Sequence, residues 1–270
     1  MDPGIEKALG LVVKSMRDNL GDQLTVDDMA RTAMYSKFHF SRIFQRVTGV
    51  SPGRFLSAMR LQQAKQLLVS TTLNVTDIAH RVGYASVGTF SSRFSSSVGV
   101  SPTTYRALRG FTPQIAVAPN GGNGTPPSAT VRGRISAAPS DGPTLVFVGL
   151  FPGRLPQGLP VSCSVLSRPG PYELRDVPRG TWHLLVHSVT AEAATTEAEP
   201  DGSNSSLQVG SAGPVTILSD ADSWSVDLEL RPMGSFDPPV LLALLDVRKE
   251  ALSREAARRT VDREGADVVT

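Results

Sequence analysis

The feature that most constrains this chain is a repeat near its start. Val50-Ser51-Pro52 recurs as Val100-Ser101-Pro102, Gly49 recurs as Gly99, and Phe40 and Phe44 recur as Phe90 and Phe94, all 50 positions apart. Farther upstream, Met29-Ala30 matches Ile78-Ala79 at a spacing of 49, so the second copy carries one extra residue near its turn. Two copies of so short a unit predict two small helical units that share or abut one core.

Each copy has the same grammar. Thr25 with Asp28 three residues on predicts a capping box, and Asp27 and Asp28 stand at the positive end of a short helix reaching about Thr32. After a turn at Met34-Tyr35, Ser36 caps a second helix to about Val47. Phe40, Ile43, Phe44 and Val47 form its inner stripe and Gly49 stops it. Its opposite face carries Lys37, Ser41, Arg42, Gln45 and Arg46. The second copy begins near Asn74 or Thr76, turns at Gly83, and restarts at Ser86 with Phe90, Phe94 and Val98 inward. Ser51-Pro52 and Ser101-Pro102 each read as a cap with proline in the first turn. Between the copies a helix from about Pro52 to Val69 is expected to act as a stiff spacer. Two short helices joined by a tight turn, the second with a polar and basic outer face, suit the DNA major groove. The same phenylalanine stripes also fit a plain helical bundle.

Charge is divided along the chain. Residues 1–110 carry a net +7 and residues 111–270 a net −5, within an overall +2. A basic front half can steer toward phosphates, although an ordinary solvated surface has the same composition.

Residues 20–110 resemble the DNA-binding domain of the AraC/XylS family of bacterial transcription regulators. The likeness rests on LTVDDMARTAMYSKFHFSRIFQRVTGVSP, Leu24 to Pro52, and on NVTDIAHRVGYASVGTFSSRFSSSVGVSPTTYRAL, Asn74 to Leu108. It implies a sequence-specific regulator whose two recognition helices enter adjacent major grooves of double-stranded DNA. The alternative left open is an architectural or accessory DNA-binding protein with little sequence preference. Carried onto this chain, the readers in the first copy are Phe38, Ser41 and Arg42, with Arg42 placed to bond guanine O6 and N7 together. Ser36, Lys37, Gln45 and Arg46 complete that DNA-facing set, with Lys37 and Arg46 as phosphate or surface groups. The corresponding readers in the second copy are Val87, Gly88 and Ser92. Val87 and Gly88 carry no side-chain donor, and arginine comes one place later than the family pattern, at Arg93. Thr89, Ser91 and Arg93 are therefore expected to supply the remaining bonds, with Ser86 completing the DNA-facing set, and the first helix is expected to carry most of the specificity.

No cofactor or metal site is expected. Cys163 is the single cysteine, so neither a disulfide nor a cysteine-based zinc site is available within the chain. The sequence has no serine elbow, phosphate-cradling loop or metal spacing, so the chain is read as a non-enzyme. With no apolar run of membrane length, it is expected in the cytoplasm, on the nucleoid.

The back half has a different period. Residues 111–128 are rich in Pro, Gly and Asn and read as a linker. Strands are expected at about 130–136, 144–150, 161–166, 171–175, 182–189, 214–218 and 223–230, with an acidic mobile loop at 190–206. Gly170 to Val189, GPYELRDVPRGTWHLLVHSV, is similar to carboxypeptidase-regulatory-like, transthyretin-like β-sandwich domains, a likeness extending over 129–231. The expected architecture is thus multidomain: an all-α double helix-turn-helix domain at 1–110, an antiparallel β-sandwich at 129–231 and a C-terminal helix at 239–260. Two roles stay open for the β region, sensing a small-molecule effector, or dimerisation (a homodimer through 129–260) and contact with RNA polymerase. Trp182, His183, Tyr172 and Trp224 are the side chains that would first be inspected for a ligand.

Overall fold

The computed structural model describes residues 2–110, 117, 129–138, 144–190, 207–219 and 223–242. They fall into two units. One is made of residues 2–110 with Gly153–Gly158 and 234–242, and the other of the described residues within Phe111–Pro152 and Leu159–Met233.

The helical unit has seven helices among its described residues: α1 Pro3–Asp18, α2 Val26–Thr32, α3 Lys37–Thr48, α4 Pro52–Ser70, α5 Val75–Arg81, α6 Val87–Val98 and α7 Pro102–Ala107. The expected caps are present. Thr25 and Asp28 form a full capping box, Ser36, Asn74, Ser86 and Ser101 each accept a first-turn N–H, and Gly49 and Gly99 end α3 and α6 in the left-handed conformation. Ser51 differs, because its side chain caps nothing. Pro52 at the start of α4 has no N–H, which leaves fewer donors there to satisfy. Helix α1 was not anticipated. Asp2 caps it ahead of Pro3, and Leu9, Val12, Val13 and Met16 bury one side. One core joins these helices. Phe40, Phe44, Phe55, Phe90 and Phe94 are almost fully buried within it.

Helix α4 fastens the two copies together. Arg60 donates to the Leu20 carbonyl at 2.9 Å and the Asp22 carbonyl at 2.5 Å, ahead of α2. Ser57 meets the Tyr84 hydroxyl at 3.2 Å, just past the α5–α6 turn. At that turn Gly83 has φ +83°, and a Cβ there would lie 2.5 Å from the Leu20 carbonyl oxygen and 2.7 Å from Arg60 Nη2. Only glycine fits such a close approach.

Two short segments from later in the chain complete the helical core. Leu155 and Leu241 are buried in it, and the Leu241 N–H donates to the Pro156 carbonyl at 3.0 Å. The buried Lys65 ammonium on α4 donates to the carbonyls of Val240 at 3.2 Å and Leu242 at 3.5 Å. Gly158 N–H donates to the Ser97 carbonyl of α6 at 2.7 Å. Residues 239–242, expected to open a helix, form none; the Val240 and Leu242 carbonyls and the Leu241 N–H are engaged by these partners instead. The rest of the expected helix, 243–260, lies outside the described residues.

The second unit holds two sheets, built from β1 Ala129–Ser136, β2 Thr144–Phe151, β3 Ser162–Leu166, β4 Pro171–Val177, β5 Gly180–Thr190, β6 Leu207–Ile217, β7 Ser223–Ser225, β8 Leu228–Glu229 and β9 Arg231–Pro232. One sheet runs β4-β1-β7, with β8 also on β1; the other runs β3-β2-β5-β6-β9. Val131, Ile135 and Leu174 of the first share a core with Val146, Val148, Leu184, Val186 and Val215 of the second. The expectation of an all-antiparallel domain is corrected, because β7 and β8 pair with β1 in parallel. The single strand expected at 223–230 is split at Val226-Asp227. There the Val226 carbonyl crosses directly over Gly133, where a Cβ would collide with it. Tyr172 Oη donates to that carbonyl at 2.6 Å, and Asp227 accepts the Arg134 N–H at 2.8 Å. Strand β6 starts seven residues earlier than expected, at Leu207, because Gly210 and Gly213 hide its alternation in the sequence. The linker at 111–128, apart from Val117, and the acidic stretch at 191–206 lie outside the described residues.

Candidate nucleic-acid interface

Helix α3 is held by its inner side. Phe40 and Phe44 lie with ring centroids 5.5 Å apart, and Phe44 meets Phe55 of α4 edge-on at 5.4 Å. At its N-terminus Ser36 Oγ accepts the His39 N–H at 3.4 Å, and Tyr35 N–H returns to the Ala30 carbonyl at 3.0 Å. Burying the aromatic side leaves Lys37, Phe38, Arg42, Gln45 and Arg46 exposed together, with Ser41 half-buried among them.

That outer face has internal structure. Lys37 Nζ is 2.8 Å from Asp27 on α2, so its charge is already partly matched. Ser41 Oγ donates to the Lys37 carbonyl at 2.8 Å, which leaves the hydroxyl free to accept. Phe38 is 75% exposed, an unusual position for a phenyl ring, and the Arg42 guanidinium carbon lies 6.0 Å from its ring centroid. Met34, 84% exposed in the preceding turn, has φ +58°. Met34 thus occupies the expected turn in a left-handed conformation, and its match at a spacing of 49 is Gly83, a residue suited to that conformation.

Helix α6 is mounted in the same way. Phe90 and Phe94 are 5.6 Å apart, and Phe94 meets Tyr105 of α7 at 5.5 Å. Ser86 Oγ accepts the Thr89 N–H at 3.2 Å and donates to Thr89 Oγ1 at 3.0 Å. The two serine caps set the register between the helices, pairing Lys37 with Val87, Phe38 with Gly88, Ser41 with Ser91 and Arg42 with Ser92. Gly88, Thr89, Ser92 and Arg93 are exposed, whereas Val87 is half-buried against the helical core. A Cβ at Gly88 would meet nothing, so its bare surface is open space rather than a packing requirement.

Other chemistry is scarce. Among the described residues no group of three or more His, Cys, Asp or Glu side chains is placed to hold a metal. None of the described helices is long and apolar enough to cross a membrane. Burial pushes the Cys163 thiol up to about 11. In the β unit, Trp182 Nε1 donates to the Pro178 carbonyl at 2.9 Å and its ring lies against Gly180, so this tryptophan closes over the turn that leads into its own strand.

A family model described as a helix-turn-helix domain matches residues 29–108. Residues 29–108 are a helix-turn-helix domain. The transcriptional activator AarP of Providencia stuartii is 35% identical over 88 residues, covering 33% of this chain and 65% of AarP. The RCS-specific activator RclR of Escherichia coli K12 is 38% identical over 98 residues, 36% of this chain and 34% of RclR. The chain thus spans less than two thirds of these relatives. Among solved structures, the DNA-binding domain of AdpA in complex with a target DNA is 32% identical, with a TM-score of 0.36, covering 40% of this chain and 93% of that one.

Proposed function

We propose that the chain is a sequence-specific transcription regulator that reads adjacent major grooves of double-stranded DNA with α3 and α6, and that it is not an enzyme. The observation that carries this is the pair of identically capped and identically anchored helices, each with its aromatic side buried and its polar side open. Its helix-turn-helix domain and the activators it is similar to support the same reading. Within it, α3 is the main reader. Arg42 is exposed and long enough for a bidentate contact with guanine, whereas Gly88 and Ser92 leave α6 with little to reach a base edge. Ser36 and Ser86 set the helices, and Lys37, Gln45, Arg46, Thr89 and Arg93 bond phosphates or flank the readers. The test is to change Arg42 and Arg93 separately to Ala and to measure binding across a panel of DNA sequences. Loss of Arg42 is expected to cost about 1–3 kcal/mol at one base pair. Unchanged base preference in Arg42→Ala would refute its role.

The bare face of α6 favours one second reading, a DNA-binding protein of low specificity. The ratio of specific to non-specific affinity at fixed salt separates the two. The two sheets with their common core read as a β-sandwich that acts as effector sensor, homodimer contact or RNA polymerase contact, and the site of action is the nucleoid in the cytoplasm. Calorimetric titration of the full chain with candidate effectors, set beside its mass in solution, divides sensor from dimerisation surface.

A further inference from the structure

Resting on the reading of Arg42 as base reader, we infer that Phe38 is a positioning residue, whose ring holds the Arg42 guanidinium in place before DNA arrives. Phe38 and Arg42 are four residues apart on α3 and so stack on one face. The guanidinium carbon is 6.0 Å from the ring centroid, within reach of a cation–π contact. No packing reason keeps a phenyl ring here, since Phe38 is 75% exposed and α3 is anchored from its other side by Phe40 and Phe44. An arginine side chain has many rotamers, and fixing one of them opposes binding. A ring that already favours one arrangement reduces that loss, and its flat face leaves the planar fork of donors free.

The repeat supplies an internal comparison. In the register set by Ser36 and Ser86, Gly88 stands where the ring is and Ser92 where the guanidinium is. The second helix lacks both members of the pair, while it keeps the cap and both core phenylalanines. A ring that served only to touch DNA would have no reason to be tied to the arginine in this way.

The experiment uses the full chain and a DNA site selected from a random library. Affinities are measured for every single-base variant of that site with the unaltered chain, Phe38→Leu, Phe38→Trp, Arg42→Ala and the Phe38→Leu/Arg42→Ala double variant. Phe38→Leu keeps an apolar side chain and removes the ring face. It is expected to lower discrimination about two- to fivefold, at the same base pair that Arg42→Ala affects. The double variant should equal Arg42→Ala there, and Phe38→Trp should restore discrimination. Additive losses, or a loss at a different base pair, would show that Phe38 reads DNA itself and overturn the inference. So would an unchanged Phe38→Leu. If Arg42→Ala alters no preference, the reading of Arg42 fails as well, an outcome distinct from the others. Circular dichroism should be the same for every variant, since both side chains are exposed.

Discussion

Replacing Leu241 by Ala tests whether a segment far along the chain belongs to the helical unit. Leu241 is fully buried in the helical core, and its backbone is pinned on both sides. Its own N–H is bonded to Pro156, and Lys65 holds the carbonyls of Val240 and Leu242. Buried Leu→Ala changes cost about 2–5 kcal/mol, and more when the surroundings cannot collapse into the space. With the backbone so held, the upper part of that range applies, about 3–5 kcal/mol. For a unit of this size the midpoint should fall on the order of 15 °C. The two tryptophans, Trp182 and Trp224, both lie in the β unit, and the described helices all lie in the other. Ellipticity at 222 nm therefore reports the helical unit and tryptophan fluorescence the β unit. The 222 nm transition should move down while the fluorescence transition keeps its own midpoint. A 222 nm transition that stays in place would refute the assignment of Leu241 to the helical core. By the same reasoning, a chain cut after Gly110 should melt earlier than the helical unit of the full chain.

Three further outcomes are expected. Met34→Gly should raise helical stability by about 0.5–1 kcal/mol, because relief of the left-handed conformation exceeds the entropy that glycine loses, whereas Gly83→Ala should cost more than about 2 kcal/mol against the Leu20 carbonyl; urea titrations measure both. The Thr25 hydroxyl and N–H bonded to Asp28 hold its carboxyl below the ordinary range, so the stability this cap supplies is present above about pH 4 and lost as pH falls through the depressed value; Asp28→Asn should flatten that part of an acid titration. With its pKa pushed up to about 11, Cys163 is about one part in a thousand thiolate at pH 8, so alkylation by iodoacetamide should be slow at pH 8 and rise about tenfold per pH unit.

The helical unit was legible because its signals are local. A capping box, a glycine stop and a phenylalanine pair each act within one or two turns, and their recurrence at 50 residues exposed both copies. Helix α1 escaped because it has no partner in the repeat, although Asp2-Pro3 and its apolar side were there to be read. In the β unit the alternation of apolar residues located most strands, yet the parallel pairing of β7 and β8 follows from Gly133 and Asp227, residues nearly a hundred positions apart. The outer face of α3 was legible as a list of polar residues. Its internal order was not, since the Lys37–Asp27 pair and the Phe38–Arg42 contact depend on side-chain direction.

On the proposed reading, the fastening of both copies through Arg60, Gly83 and Tyr84 has a consequence for the DNA rather than for the protein. Helix α4 is about 28 Å long, and with the flanking turns locked to it the two recognition helices cannot drift in separation or rotation. Any misfit in helical phase between the two subsites must then be taken up by twisting or bending of the duplex. Adding about five base pairs between them turns the second groove to the far side, where α6 cannot follow. Smaller misfits make the intervening base pairs matter through their stiffness alone. A regulator whose second helix reads few bases would in this way still be selective about the sequence that it never touches.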